Sequence, residues 1–117
     1  MLPLLVKLPL DIAVEVAEIA VESTADALVI GVPPMGSAQT PAGERVDGYL
    51  YGPALHSLVL PNIQIIRELV EVPIVAVGGI HSLADAQAFL AAGATAVQID
   101  SLLLIEPKQA AEIARAF

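Results

Sequence analysis

The 117-residue chain contains no cysteine, so it has no disulfide framework, no thiolate nucleophile and no cysteine-based zinc site. That fits a cytoplasmic protein. Basic residues are scarce as well. Lys7, Arg45, Arg67, Lys108 and Arg115 stand against 13 acidic side chains, and the formal net charge is −8. Binding nucleic acid needs clustered lysine and arginine, and these are scattered, which argues against such a partner. Aromatic residues are only 3% of the chain. No apolar run reaches membrane-spanning length, because the longest uncharged stretch, 48–66, is broken by Gly52, Pro53, His56, Pro61, Asn62 and Gln64. No basic region precedes the short apolar N-terminus, which argues against a signal peptide.

What is present is strongly apolar: 56% hydrophobic and 15% charged residues, built from Ala, Val, Ile and Leu, with a mean hydropathy of +0.77. Such a composition suits buried parallel strands covered by helices. It also implies more apolar surface than one small domain hides, which favours association. The length fits one domain spanning 1–117.

The most informative segment is Pro73-Ile74-Val75-Ala76-Val77-Gly78-Gly79-Ile80-His81-Ser82. Its first five residues are uncharged and largely β-branched, and they read as a strand buried on both faces. Gly78 and Gly79 then allow a ligand close to the backbone. Ser82 is a good N-cap, and Asp85 three residues later makes a variant of the capping box. Strand, glycine turn and helix start together present N–H groups and a positive dipole end, the geometry that binds an anion, most often a phosphate.

Strand and helix signals alternate along the whole chain. Leu4 to Leu8 is the first predicted strand, and Asp11 caps a helix to about Ser23. Ile12, Val16, Ile19 and Ala20 form its apolar stripe, and Glu15, Glu18 and Glu22 its solvated face. Ala27 to Gly31 is the second strand. A Pro/Gly-rich connection runs from Val32 to about Pro53, and its stretch from Met35 to Pro41 reads as a mobile loop. Pro61 suits position N1 of a helix reaching Glu71. Pro73 to Val77 is the third strand, followed by a helix from about Leu83 to Ala92 with Gly93 as its C′ residue. Ala96 to Ile99 is the fourth strand, and Glu106-Pro107 opens a last helix. The fold class is α/β, a (βα)4 unit: half of a TIM barrel, or a small open sheet. Half a barrel has two bare edges and one uncovered face. A second copy or a complementary half-barrel chain is therefore the expected partner.

Four segments occur in an order that resembles a known family: Val6-Lys7-Leu8, Gly52-Pro53-Ala54-Leu55, Val77-Gly78-Gly79-Ile80, and Ala91-Ala92-Gly93-Ala94-Thr95-Ala96-Val97-Gln98-Ile99. Together they are similar to the C-terminal half of the dihydroorotate dehydrogenases, which are FMN-dependent (βα)8 barrels. The resemblance implies an oxidoreductase of pyrimidine biosynthesis with FMN as cofactor. It further implies that Lys7 contacts the flavin ring and offsets charge developing there on reduction. Gly52 would line the flavin's phosphate or ribityl region. Gly78, Gly79 and Ile80 would offer N–H groups to the phosphate, and the end of the fourth strand, at Ser101, would complete that cradle. The residues themselves leave Lys7 open. An ammonium among Leu4, Leu5, Val6 and Leu8 either meets an anion or polar ligand, or snorkels to water from the strand end.

The chain also departs from the family pattern. Asp100 stands before Ser101 where glycine is usual, and a carboxylate there repels a phosphate unless it turns away or pairs with a cation. Gly31-Val32-Pro33-Pro34 lacks the asparagine that holds substrate, and Tyr51 replaces a serine. The family's general base lies in the half of the barrel this chain does not contain, so no catalytic residue is assigned. The alternatives are a non-catalytic half-barrel and a binder of phosphate-bearing small molecules. His56 and His81 have no metal-ligand spacing. His81 reads as a surface loop histidine or as a hydrogen-bond donor to an anion. Tyr49 and Tyr51 either cover a flavin face or pack on the barrel mouth.

Overall fold

The computed structural model describes residues 1–117. In chain order it contains β1 (Leu5–Pro9), α1 (Ala13–Glu22), β2 (Ala27–Val32), β3 (Met35–Gln39), β4 (Arg45–Tyr49), α2 (Leu55–Leu69), β5 (Ile74–Val77), α3 (Leu83–Ala91), β6 (Ala96–Gln98), α4 (Ser101–Ile105) and α5 (Pro107–Arg115). The main sheet has the order β1-β2-β5-β6, with every pair parallel. Helices between successive parallel strands, in chain order, make the (βα)4 arrangement read from the sequence. Both edge strands, β1 and β6, have one unpaired side.

The core lies on the helix side of this sheet. Leu8, Leu28, Ile30, Ile74 and Ala76 point there and meet Val59, Ile63 and Ile66 of α2 and Phe89 of α3. Lys7, Val29, Val75 and Ala96 form one register row across the sheet, one residue out of phase with the core positions on either side of them and so on the opposite face. The α1 stripe differs from the expected one. Ala13 and Ala17 are fully buried, whereas Ile12 and Ile19 are exposed. Small side chains let the helix lie close to the sheet, and the bulkier isoleucines fall to its flanks.

Gly31, at the end of β2, is required by a close approach. Its φ is +114°, and a Cβ there would sit 1.7 Å from the Val77 carbonyl oxygen of β5. Backbone, and not a movable side chain, occupies that space.

The connection after β2 is not a loop. β3 and β4 pair antiparallel from Met35↔Tyr49 to Gln39↔Arg45. Asp47 accepts hydrogen bonds from Ser37 at 2.5 Å and Arg45 at 2.8 Å, and the turn closes with Thr40 N–H donating to the Glu44 carbonyl. Pro61 is also placed differently: α2 starts at Leu55, so Pro61 lies inside it on an exposed position. The helix begins early because Gly52 and Pro53 carbonyls accept from Leu55 and His56 N–H and nucleate the first turn ahead of the proline. At α1 the residue before the helix is Ile12, with no side-chain cap, so Asp11 does not cap it.

The radius of gyration is 15.2 Å, against about 13.4 Å for a folded chain of this length. The accessible surface is 7149 Å², roughly a fifth more than a monomer of this mass exposes. The hairpin and the open inner face of the sheet account for a shape of 49 × 32 × 28 Å. No helix is long and apolar enough to cross a membrane.

Candidate functional site

The inner face of the sheet is lined by the side chains that alternate away from the core. Toward the C-terminal strand ends, Lys7, Val29, Val77 and Gln98 border a cavity of about 230 Å³. Val77 and Gln98 are register partners on β5 and β6. The base of the hairpin, where Met35 pairs with Tyr49, sits at this end and supplies Tyr49 and, just beyond β4, Tyr51; Asp100 closes the far side. A second cavity of about 480 Å³ adjoins it, sharing Tyr51, Gln98 and Asp100 and adding Ser101 and the first face of α4.

Lys7 is exposed, and no carboxylate lies within ion-pair distance of it. The chain's one ion pair is Arg45–Asp47, at 2.8 Å on the hairpin. The ammonium therefore faces the cavity uncommitted. Asp100 is differently engaged: its carboxylate accepts the Ser101 N–H at 2.6 Å and so caps α4. Ser101 is buried, and its hydroxyl has no hydrogen-bond partner. Gln98 was missed by sequence reasoning. Its signal was a lone amide alternating with apolar residues on a short strand.

The glycine turn stands apart from the two cavities' walls. Gly78, Gly79 and Ile80 are buried and line neither cavity. A Cβ on Gly79 would lie 2.2 Å from the His56 backbone nitrogen, so this glycine lets the turn touch the first turn of α2. Gly52 is half-buried before α2, and the space where a Cβ would point is open to 4 Å. The structure thus brings Lys7 to one cavity and Ser101 to its neighbour, with Asp100 between them. It leaves Gly52, Gly78, Gly79 and Ile80 outside both linings.

Behind the turn is a polar cluster that holds α2, α3 and α5 together. His56 stacks on Phe89 with ring centroids 4.4 Å apart, and its Nε2 lies 2.9 Å from the Asp85 carbonyl. A carbonyl only accepts, so Nε2 carries the proton. The His81 N–H donates to the Asp85 carboxylate at 2.9 Å, the Asp85 N–H donates to the Ser82 hydroxyl at 3.1 Å, and Gln109 donates to the His81 carbonyl at 2.6 Å. Burial pushes the Asp85 carboxyl up, but the His81 and Ser82 hydrogen bonds and the His56 charge outweigh it and hold the carboxyl below its usual value. His81 is not a free surface histidine, because its Nε2 is buried without a partner. The reason is that the β5–α3 turn tucks it under α5.

The dihydroorotate dehydrogenase family model matches residues 1–116. The chain is 35% identical over 119 residues to the catalytic subunit of dihydroorotate dehydrogenase B (NAD(+)) of Geotalea uraniireducens, covering 96% of this chain and 39% of that protein. The same subunit of Trichlorobacter lovleyi is 36% identical over 118 residues, with 95% and 39% covered. The chain thus spans about two fifths of the length of these curated relatives. Among solved structures, ligand-free DHODH from Eimeria tenella superposes with a TM-score of 0.77 at 24% identity, covering 93% of this chain and 33% of that one. The ferulenol complex of the same enzyme gives 0.73 at 23% identity, covering 97% and 32%. At those identities the two structures bear on the fold alone.

Proposed function

Because the chain belongs to the dihydroorotate dehydrogenase family, we propose that it supplies one half of a flavin-binding oxidoreductase barrel in the cytoplasm. A second copy or a complementary half-barrel chain provides the other strands. The carrying observation is Lys7, an unpaired ammonium on the open inner face, grouped with Gln98, Tyr49 and Tyr51 at the C-terminal strand ends. In barrels of this type the strand C-termini carry the chemistry. The two unpaired sheet edges and the large accessible surface support the need for a partner.

FMN, the cofactor the family implies, has a ring end and a phosphate end. The ring end suits this face: Lys7 and Gln98 offer N–H donors to its polar edge, and the two tyrosines offer flat apolar surface. The phosphate end fits poorly, because the Ser101 N–H is already taken by the Asp100 carboxylate. Bound flavin would supply the hydride-accepting chemistry, and dihydroorotate is the substrate class the relatives' names suggest. The chain's own part is to bind and orient the ring and to offer a positive charge beside it. No general base is assigned to this chain.

The test is size-exclusion chromatography of the purified protein with light scattering and flavin absorbance recorded together. Flavin co-eluting with a species of at least two chains is expected. A colourless monomer whose melting temperature is unmoved by excess riboflavin or FMN would overturn the reading. A non-catalytic half-barrel is the second reading, favoured by the missing asparagine in Gly31-Val32-Pro33-Pro34 and by Asp100. It predicts that Lys7→Ala alters assembly and leaves flavin binding absent in both proteins.

A further inference from the structure

The end of β6 carries two observations that the flavin-ring reading does not use. Asp100 is a carboxylate set between both cavities, with no cation within ion-pair distance. Ser101 beside it is 7% exposed and has a hydroxyl without a partner. A phosphate monoester brings about −1.5 to −2 charges at neutral pH. Placed in this mouth it meets a like charge in a chain already at −8, and the Ser101 N–H that would receive it donates to Asp100 at 2.6 Å. Lys7 is the one basic side chain in either cavity lining.

A polyol meets the opposite conditions. Asp100 spends one lone pair on Ser101 and keeps others for hydroxyl donors. The Gln98 amide, which borders both cavities, can both donate to and accept from hydroxyl groups. Tyr51 completes this wall, and the adjoining volume of about 480 Å³ is large enough for an extended hydroxylated tail.

We propose that Asp100 converts this end of the site from a phosphate cradle into a hydroxyl-binding one, so that the chain takes a flavin whose side chain ends in a hydroxyl in preference to one ending in phosphate. The proposal rests on the flavin-ring reading for the identity of the ligand, and on Asp100 alone for the exclusion of phosphate.

The experiment is flavin fluorescence quenching with riboflavin and FMN on the purified full chain in its native assembly. Thermal melts with inorganic phosphate run beside it, all on wild type, Asp100→Gly and Asp100→Asn. Asp100→Asn keeps a capping side chain and removes the charge, so it stands in if the glycine variant does not fold. Wild type should bind riboflavin at least as tightly as FMN and gain no melting temperature from phosphate. Removing the charge should shift the FMN-to-riboflavin affinity ratio by about tenfold toward FMN and make phosphate stabilising. Wild-type preference for FMN by tenfold, or a ratio unmoved by both variants, overturns the proposal. If no variant binds either flavin, the ring reading fails and the phosphate melts decide alone. Stabilisation in the variants only supports the exclusion, and an identical response in all three proteins, including none, refutes it.

Discussion

Gly31→Ala tests whether the sheet is built as tightly at its centre as the backbone indicates. The added methyl would lie 1.7 Å from the Val77 carbonyl oxygen and 2.8 Å from its carbon, with the Val59 side chain at 3.2 Å. The two closest atoms are backbone, so relief requires β2 to separate from β5 or to abandon φ +114°. Left-handed backbone costs about 1–2 kcal/mol for an L-residue, and an overfilled site about 1–3 kcal/mol. Together that is about 4 kcal/mol, a large share of the roughly 5–15 kcal/mol that holds a domain together. With a urea slope of about 2 kcal/mol/M, the midpoint should fall by about 2 M. The assay is urea unfolding at fixed protein concentration, since association contributes to apparent stability. Gly48→Ala on β4 is the control, because nothing lies within 4 Å of its added carbon. It should move stability by less than about 0.5 kcal/mol. A Gly31→Ala shift as small as the control's would refute the close-approach argument.

Ile63→Ala removes a fully buried side chain from the middle of α2, and thermal unfolding should report a loss of about 2–5 kcal/mol; a loss under 1 would mean the core collapses freely around it. Pro61→Ala restores a helical N–H on an exposed position of α2. It should raise stability by about 1–2 kcal/mol after the gain in unfolded-chain freedom is subtracted, and a lowered melting temperature would show that the proline is needed where it is. Asp85 contributes stability above the ordinary carboxylate range, lost as pH falls through its depressed value. Asp85→Asn should therefore flatten the acid limb of the stability profile below about pH 4, and an acid limb unchanged from wild type would contradict the assignment.

The strands of the main sheet were legible because burial on both faces leaves uninterrupted apolar runs such as Ala27 to Ile30 and Ile74 to Val77. The hairpin was not, for a physical reason. Its ten strand residues are almost all exposed, so no apolar alternation marks them. Across the ladder Ser37 donates to Asp47, whose carboxylate is also held by Arg45 on its own strand. Pro61 misled because proline favours a first helical turn, yet the Gly52-Pro53 turn nucleates α2 upstream of it. The phase of α1 was misjudged because periodicity ranks isoleucine above alanine, while close packing on a sheet selects the alanine. At the candidate site, Lys7, Asp100 and Ser101 were reached through the family resemblance, and Lys7 also as an ammonium set among apolar residues. The convergence of Gln98 with Tyr49 and Tyr51 was not legible, since it exists only once β3 and β4 pair and set the hairpin base beside the strand ends.

In the main sheet each strand pairs with the strand that precedes and the one that follows it in that sheet's chain order. No strand waits for a distant segment, so the sheet can grow in the order of synthesis, each strand docking on a template already formed. The hairpin inserted after β2 pairs only with itself and does not interrupt that sequence. What such growth cannot do is terminate itself, because the first and the last strands finish with unsatisfied edges pointing away from each other's partners. On the half-barrel assembly proposed above, closure with a second chain is a bimolecular event. Its rate rises with protein concentration, and the interval before it is the period in which the chain is most exposed to mispairing.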